Sequence, residues 1–521
     1  MARKWWTLAA VVAGVFMLVL DVTIVNVALP GIGRDFRSSL PDLQWVIDAY
    51  ALVLAAGLLT AGSLADLWGR RRVYAAGTAV FTAGSLLCGL ATGPLYLIVA
   101  RVVQGLGGTV VFATSLALLG DAFRGRDRGM AFGIYGGVLG IAAAVGPVLG
   151  GALTSAISWR WIFFVNVPAG AATLAVTLAR VSESRDPAAA RLDWAGLVSF
   201  SAGLALLIYG LISSATGWGL PRVYASLAAA GALLIVFGFA EARQRQPMLD
   251  LSLFRKPTFT GGLIAAFGLN ASIYTVFTYL VLYLQQQLGY SAAQTGLRFL
   301  ALTGTMFAAS TVAGRLSSAV PVRLMIGTGF ILVAAGIWLM HGLTVSSGWT
   351  HLLPGMIIAG AGAGMITVPL ASTAVGVVPL TRAGMASGIN STFRQLGLAT
   401  GIAALGSVFT IRFRDTVTSQ LMHTPLAPHA GRIAARISAS AASPPPPAGP
   451  AAPAARLAAQ AAQAGFITAL NDILLIGATV ALIAAAASFA LLRRRDFIAS
   501  PSTANRERET APARTKGRQP G

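Results

Sequence analysis

Acidic side chains, cysteine and histidine are scarce in this sequence, and each scarcity excludes a class of protein. The 17 acidic and 38 basic residues make up 11% of the 521 residues, whereas a soluble globular domain is about 25% charged. Because 56% of the residues are also hydrophobic, the chain cannot be a soluble globule. We predict an all-α polytopic membrane protein, since long apolar runs cross a bilayer as helices.

Residues suited to covalent or metal chemistry are nearly absent. The single cysteine, Cys88, lies in an apolar run and has no partner for an intramolecular disulfide, so it is predicted to be a packing residue. The four histidines lack metal-ligand spacing, and neither a P-loop sequence nor a nucleophile with a neighbouring base is present. We therefore predict no metal, no cofactor, no enzymatic activity and no ATP-driven transport.

Apolar runs long enough to cross a hydrocarbon core of about 30 Å recur along the chain. The first begins at Trp5 and continues past Asp21 to Pro30 without a small-residue cleavage site, so it is predicted to be an uncleaved helix and not a signal peptide. Thirteen further runs centre near residues 55, 82, 107, 141, 170, 203, 231, 274, 303, 332, 364, 397 and 479. The sequence thus predicts fourteen transmembrane helices.

The basic residues predict the orientation of these helices. With the N-terminus inside the cell, 26 of the 38 basic residues lie in inner loops and termini, nine lie in outer loops and three lie within spans. Since basic residues concentrate on the cytoplasmic side, we predict cytoplasmic N- and C-termini and a location in the plasma membrane. The net charge of +21 then reflects topology, and no nucleic-acid partner is expected.

The two halves of the chain resemble each other in sequence. GMAFGI at Gly129–Ile134 returns 255 residues later as GMASGI at Gly384–Ile389, and the seventh and eighth helices have no counterpart in this repeat. We expect this inserted pair to lie outside the transport path. The predicted units are a six-helix bundle (1–180), the inserted helices with an amphipathic linker (181–257), a second six-helix bundle (258–492) and a basic cytoplasmic tail (493–521). Within the second bundle we expect an external Ala/Pro-rich loop (412–464), extended or disordered around 442–450.

The fifth apolar run, residues 129–153, has no charge and carries glycines four residues apart. Small residues at this spacing expose backbone on one helix face, where another helix can pack closely. We expect the stretch that contains Gly146, Pro147, Gly150 and Gly151 to form a close, kinked contact between the two bundles.

Four stretches together resemble exporters of the major facilitator superfamily. Residues 146–151 are similar to the antiporter motif (motif C), residues 62–72 to motif A, residues 97–108 to motif B, and residues 20–30 to the first-helix motif of the 14-spanner drug:proton antiporters, the multidrug and quaternary ammonium type. The resemblance implies the major facilitator fold, with two six-helix bundles plus two inserted helices. It also implies a secondary transporter that exchanges external protons for an internal substrate.

Asp21 is the strongest candidate for proton coupling. An ionised carboxylate in the middle of a span is costly, so it should face a cavity or a partner. Arg101 lies at a similar depth in the fourth helix, and a permanent cation there would favour the charged form of Asp21. By resemblance, Asp21 carries the proton and Arg101 takes part in its transfer. Asp48, which lies nearer the outer interface on the second helix, is the second candidate. The alternatives are a polar packing role for Asp21 and, for Arg101, hydrogen bonds to carbonyls of the first helix.

Motif A includes Gly62, Asp66, Gly69, Arg70 and Arg71. Its glycines permit a tight turn, and Asp66 can meet a helix N-terminus or an arginine. By resemblance, this motif stabilises the outward-open state. A degenerate copy at 314–323 lacks the acid, so only the N-terminal half is expected to have a complete motif.

Other polar residues in the spans are candidates for the wall of a substrate cavity. They are Thr23, Asn26, Gln104, Asn270, Tyr274, Tyr279, Asn390 and Arg394. We predict a monomer in the lipid bilayer whose partners are protons and a small molecule, by family analogy an amphipathic, often cationic drug, antibiotic or natural product. An importer or uniporter of the same fold and a non-transporting membrane sensor are the alternatives.

Overall fold

The computed structural model describes residues 3–36, 38, 40–185, 194–214, 220–243, 251–317, 319–378, 383–439, 453–493 and 496–497. Over these residues the regular secondary structure is helical, and fourteen long helices occupy the positions of the predicted spans. Ten of them are long and apolar enough to cross a membrane, or eleven when α2, which bends by 53°, is counted. Helices suit this environment because lipid cannot satisfy backbone hydrogen bonds.

The long helices are numbered in chain order. They are α1 (Arg3–Phe36), α2 (Leu40–Trp68), α3 (Arg70–Gly89), α4 (Pro94–Ala122), α5 (Gly125–Ala156), α6 (Trp161–Arg180), α7 (Trp194–Ser214), α8 (Pro221–Arg243), α9 (Pro257–Gln287), α10 (Ala292–Leu316), α11 (Val322–Leu339), α12 (Leu353–Gly376), α13 (Ala383–Met422) and α14 (Pro453–Leu491). We name the face that carries the α2–α3 turn the inner face and the opposite face the outer face.

Helices α1–α6 pack around shared buried apolar clusters, and α9–α14 pack around another. Glycines permit the closest contacts within each bundle. A Cβ on Gly84 of α3 would lie 2.6 Å from the Gln104 Cα of α4, and a Cβ on Gly329 of α11 would lie 2.7 Å from the Ile366 side chain of α12. These small residues let helix backbones approach closely. Close packing matters in lipid because the hydrophobic effect does not drive helices together there.

The glycines of α5 contact two different helices. In the inner half, a Cβ on Gly133 would lie 3.3 Å from the Ser310 carbonyl oxygen of α10. In the outer half, Gly146 packs against Thr23, and a Cβ on Gly150 would lie 2.7 Å from the Ile24 side chain of α1. The prediction that the Gly146–Gly151 stretch joins the two bundles is therefore wrong, because this stretch packs inside the N-terminal bundle. The α5 helix runs unbroken through position 147.

Helix α7 packs against both bundles. Leu204 and Ile208 share an apolar cluster with Ala55 of α2 and with residues of α13. The Thr60 and Ser201 hydroxyls lie 2.8 Å apart. The inserted pair thus borders the junction between α2 and α13.

Helices α13 and α14 extend beyond the other helices at the outer face. They contain 40 and 39 residues, about 60 Å each at 1.5 Å per residue, and a short helix, Ala430–Ala439, lies between them. Much of the segment 412–464, expected to be an external loop, is therefore helical. The proline-rich stretch 442–450, the tail beyond residue 497 and linker residues 244–250 lie outside the described residues.

Candidate functional site

The Asp21 carboxylate is completely buried among polar side chains of the N-terminal bundle. Its Oδ2 accepts a hydrogen bond from Arg101 Nη1 at 2.5 Å. Its Oδ1 accepts from Gln104 Nε2 at 2.8 Å and from Asn166 Nδ2 at 3.4 Å. Helices α4 and α6 therefore give the Asp21 carboxylate of α1 a counter-ion and two amide donors. Such partners stabilise a buried charge.

Arg101 is also buried, with 1% of its surface exposed. Its Nε donates to the Val46 carbonyl oxygen of α2 at 2.9 Å, and its guanidinium carbon lies 4.2 Å from the Tyr50 ring centroid. The arginine thus forms an ion pair and also binds a helix carbonyl, although that carbonyl belongs to α2 and not to α1. A cation over an aromatic ring in a dry site is further stabilised.

Gln104 connects Asp21 to α3. Its Nε2 also donates to the Ser85 hydroxyl oxygen at 2.7 Å, and its Oε1 accepts from Arg101 Nη1 at 2.7 Å. Gln104 is fully buried, and its predicted place in the substrate cavity stays a prediction. We name Asp21, Ser85, Arg101, Gln104 and Asn166 the Asp21 cluster.

Ser85, Asn166 and Tyr50 also contribute to this site. The sequence does not indicate them, because a serine, an asparagine or a tyrosine in a span usually has a packing role. The available signal for a polar site in the sequence was the three-residue separation of Arg101 and Gln104, which places both side chains on one face of α4.

Two other N-terminal candidates lie elsewhere. The Thr23 hydroxyl donates to carbonyl oxygens of its own helix at Val19 and Leu20, 3.0 and 3.1 Å away, and Thr23 packs on Gly146. Thr23 therefore contributes to the α1–α5 contact, and its place in the substrate cavity stays a prediction. Asp48 is half-buried on α2 and makes no hydrogen bond to the Asp21 cluster among the described residues. The Asn26 and Pro147 side chains lie outside the described part of the chain.

Motif A connects the two bundles at the inner face. The Asp66 Oδ1 accepts from Arg70 Nη2 at 2.8 Å, and its Oδ2 accepts from the backbone N–H of Met385 at 3.0 Å. Met385 lies in the first turn of α13, where backbone N–H groups have no partner within the helix. Asp66 therefore caps a helix of the opposite bundle while its charge is balanced by Arg70.

The turn around Gly69 is positioned by the chain that follows α6. Gly69 has a φ of 103°, a conformation that favours glycine. The Glu183 carboxylate accepts from the backbone N–H groups of Arg71 at 3.0 Å and Arg72 at 3.3 Å, at the start of α3. Gly62 is buried in α2. These contacts fix the orientation in which Asp66 reaches α13.

The inner halves of the bundles make further direct contacts. The Ser387 hydroxyl donates to the Ala113 carbonyl oxygen at 3.0 Å. A Cβ on Gly314 of α10 would lie 2.6 Å from the Gly129 carbonyl oxygen of α5. The outer half of α5 packs against α1 and not against α10. The described contacts between the bundles therefore concentrate at the inner side. We call this arrangement, in which the described contacts close the inner side, outward-facing.

Replacing Asp66 by alanine is expected to favour the inward-open state. The variant removes the cap on α13 and leaves Arg70 without its carboxylate, and the lost cap alone is worth about 0.5–2 kcal/mol. We expect faster labelling of inner-side cysteines introduced into a Cys88→Ser background. The control is Asp127→Ala, which removes a partly exposed inner-face ion pair with Lys4. Equal labelling of the two variants would contradict a role for Asp66 in closing the inner side.

The C-terminal candidates separate into two groups. Tyr279 is buried in the bundle core, with its ring centroid 5.3 Å from that of Phe409, and its place in the cavity wall stays a prediction. Asn270 donates to the Ala266 carbonyl oxygen at 2.9 Å at the start of a π-helical turn in α9. Asn390, Arg394 and Tyr274 lie nearer the junction of the bundles and are discussed below.

Within the described residues, no group of three or more His, Cys, Asp or Glu side chains is placed to bind a metal ion. The polar chemistry available here is proton and hydrogen-bond exchange at buried carboxylate, guanidinium and amide groups.

The chain is similar to known resistance and export proteins. The chain is 35% identical over 439 residues to the multidrug resistance protein Stp of Mycobacterium tuberculosis, covering 84% of this chain and 82% of that protein. It is 34% identical over 520 residues to the tetracenomycin C resistance and export protein of Streptomyces glaucescens, covering 99% and 96%.

The fold also matches a solved structure. The crystal structure of the human organic anion transporter MFSD10 (TETRAN) aligns with a TM-score of 0.61 and 16% identity, covering 92% of this chain and all of that chain. Residues 11–402 match the family model described as Major Facilitator Superfamily. From its sequence and its fourteen-helix architecture, the chain belongs to the major facilitator superfamily.

Proposed function

We propose that this protein is a proton-driven exporter of amphipathic drugs, antibiotics or related natural products, located in the plasma membrane with both termini in the cytoplasm. The observation that carries the proposal is the fully buried Asp21 carboxylate paired with Arg101. The names of the two relatives support a drug or antibiotic as cargo. An importer or uniporter has no specific observation in its favour.

The Asp21 cluster supplies a mechanism for coupling. In the outward-facing arrangement Asp21 is ionised and accepts three hydrogen bonds. A proton that enters from outside neutralises the carboxylate and leaves the Arg101 charge buried without a counter-ion, a change worth about 3–5 kcal/mol. Since alternate conformers differ by a few kcal/mol, protonation is sufficient to favour the inward-open state.

Return to the outward-facing state requires loss of this proton. Once the inner side opens, Asp21 releases its proton toward the cytoplasm and the pair with Arg101 forms again as substrate leaves. A membrane potential of about 100 mV supplies about 2.3 kcal/mol per charge moved. Together with a pH gradient, one titrating carboxylate is enough for accumulation of tens-fold.

We further propose that residues 1–180 and 258–492 are the two moving bundles and that α7 and α8 lie outside the substrate path. A photo-crosslinking group introduced at Tyr274 should react with bound substrate. The same group at Val236, an exposed residue of α8, should not. Preferential labelling at Val236 would contradict this division.

Transport by reconstituted vesicles tests the function. With protein inserted so that its outer face lines an acidic lumen, a fluorescent amphipathic dye should accumulate inside, and a protonophore should abolish accumulation. Equilibration without accumulation would indicate a uniporter. Accumulation driven only by the opposite gradient would indicate an importer.

A further inference from the structure

A second set of buried polar atoms lies between the bundles, apart from the Asp21 cluster. It comprises Tyr135 of α5 with Asn390 and Arg394 of α13. The Tyr135 hydroxyl, the Asn390 Oδ1 and the Arg394 Nε and Nη2 atoms are buried, and none has a hydrogen-bond partner among the described residues. Buried polar atoms are normally paired, so these atoms have free capacity to bind a ligand.

Arg394 is close enough to the other groups of this set to interact with them. Asn390 and Arg394 are four residues apart, so they lie on the same face of α13. Arg394 interacts electrostatically with the phenols of Tyr135 and Tyr274, which belong to opposite bundles. Tyr135 and Asn390 are each 1% exposed. Arg394 therefore lies where the two bundles meet, within reach of groups from both.

Among the described residues, no carboxylate forms an ion pair with Arg394. The chain has no aspartate or glutamate between residues 251 and 414, so α9 to α12 and most of α13 supply none. On the N-terminal bundle, Asp21 is paired with Arg101 and Asp66 with Arg70.

Asp48 is too far along α2 to serve this role. Ala55 of α2 shares a cluster with Leu396, two residues from Arg394. Asp48 is seven residues nearer the outer face, or about 10 Å at 1.5 Å per residue. Within the described part of the chain, the Arg394 guanidinium, with its Nε and Nη2 atoms buried, thus has no counter-ion at mid-span.

We propose that Arg394, Tyr135 and Asn390 form a subsite for the acidic group of an aromatic anion, a carboxylate or phenolate carried by a ring. The guanidinium and the Tyr135 hydroxyl donate to the anion, and charge-assisted hydrogen bonds of this kind are the strong ones. The Asn390 oxygen accepts from a hydroxyl or amine of the same molecule, and the Tyr274 ring offers a surface for stacking. This proposal names the substrate class for the exporter proposed above and rests on it for the direction of transport. It replaces the cationic cargo implied by family analogy.

The charge of the cargo changes what drives transport. Exchange of one exported monoanion for one proton moves two positive charges inward, so the membrane potential drives it. Exchange of a monocation for one proton is electroneutral. Anion export should therefore depend on the potential as well as on the pH gradient.

Binding to the purified full-length protein in lipid nanodiscs tests the subsite. The probes are fluorescein, an anionic xanthene with a carboxylate and a phenolate, and rhodamine 6G, a cationic xanthene ester. The variants are Arg394→Gln, Arg394→Lys and the matched control Arg414→Gln, which changes an exposed arginine at the outer end of α13. Rhodamine 6G binding reports whether each variant remains folded.

We expect Arg394→Gln to raise the dissociation constant of fluorescein by about tenfold or more, with Arg394→Lys intermediate and Arg414→Gln unchanged. Rhodamine 6G should bind Arg394→Gln at least as well as the unmodified protein, since a like charge is removed. Fluorescein affinity unchanged by Arg394→Gln, or a preference of the unmodified protein for rhodamine 6G, would overturn the subsite. Arg394-dependent binding without gradient-driven transport would support the subsite and contradict the exporter proposal.

Discussion

Asp21→Asn should abolish proton-driven accumulation while the protein still folds, inserts and binds substrate. Asparagine has nearly the same volume as aspartate but cannot titrate, so it resembles the protonated state permanently. The substitution leaves Arg101 with the Val46 carbonyl, Gln104 and the Tyr50 ring. The cost, about 3–5 kcal/mol for an unpaired buried charge, is therefore expected to destabilise the outward-facing arrangement and not the whole fold.

The measurement is dye accumulation in vesicles with an imposed pH gradient. We expect the tens-fold accumulation of the unmodified protein to be lost, because a variant that cannot release a proton cannot return to the outward-facing state. Asp127→Asn is the control, because Asp127 forms a partly exposed pair with Lys4 at 2.6 Å and such pairs contribute about 0–1 kcal/mol. Undiminished accumulation by Asp21→Asn would show that another group carries the proton.

Gly129→Leu should shift the protein strongly toward the inward-open state. Gly129 and Gly314 meet backbone to backbone, so that a Cβ on Gly129 would collide with the Gly314 carbonyl oxygen. Overpacking of this kind costs about 1–3 kcal/mol, and here it is relieved when α5 and α10 separate at the inner face. The ratio of inward- to outward-open protein should rise by about 5- to 150-fold.

Gly304→Leu on α10 is the matched control. A Cβ at Gly304 has no atom within 4 Å, so the same substitution on the same helix should leave the distribution unchanged. Accessibility of cysteines introduced at the inner and outer faces, in a Cys88→Ser background, measures it. An outward-facing distribution in Gly129→Leu would refute the view that this glycine contact closes the inner side.

The periodic signals in the sequence predicted the spans well. The apolar runs located all fourteen long helices, because a lipid-spanning segment is recognised by length and composition alone. The pairing of Asp21 with Arg101 was also predictable, since two opposite charges at one depth in a bilayer have few other partners.

Sequence could not assign the helix that each face contacts. The glycines of α5 indicate a close neighbour, but the same spacing serves the α10 contact at Gly133 and the α1 contact at Gly150. Helical phase likewise does not show that Tyr279 packs on Phe409 whereas Tyr274 lies near the junction of the two bundles. Ser85 and Asn166 became recognisable only when the fold placed them beside Asp21.

The central claim is that protonation of Asp21 switches the protein from outward- to inward-open. Spin labels at Trp68 and Leu316, exposed residues at the inner ends of α2 and α10, would report the separation of the bundles by pulsed electron paramagnetic resonance. We predict that acidification from mildly alkaline pH lengthens this distance in the protein with Asp21, and that Asp21→Asn gives the long distance at every pH. A distance in Asp21→Asn that still lengthens on acidification, as in the protein with Asp21, would contradict the account.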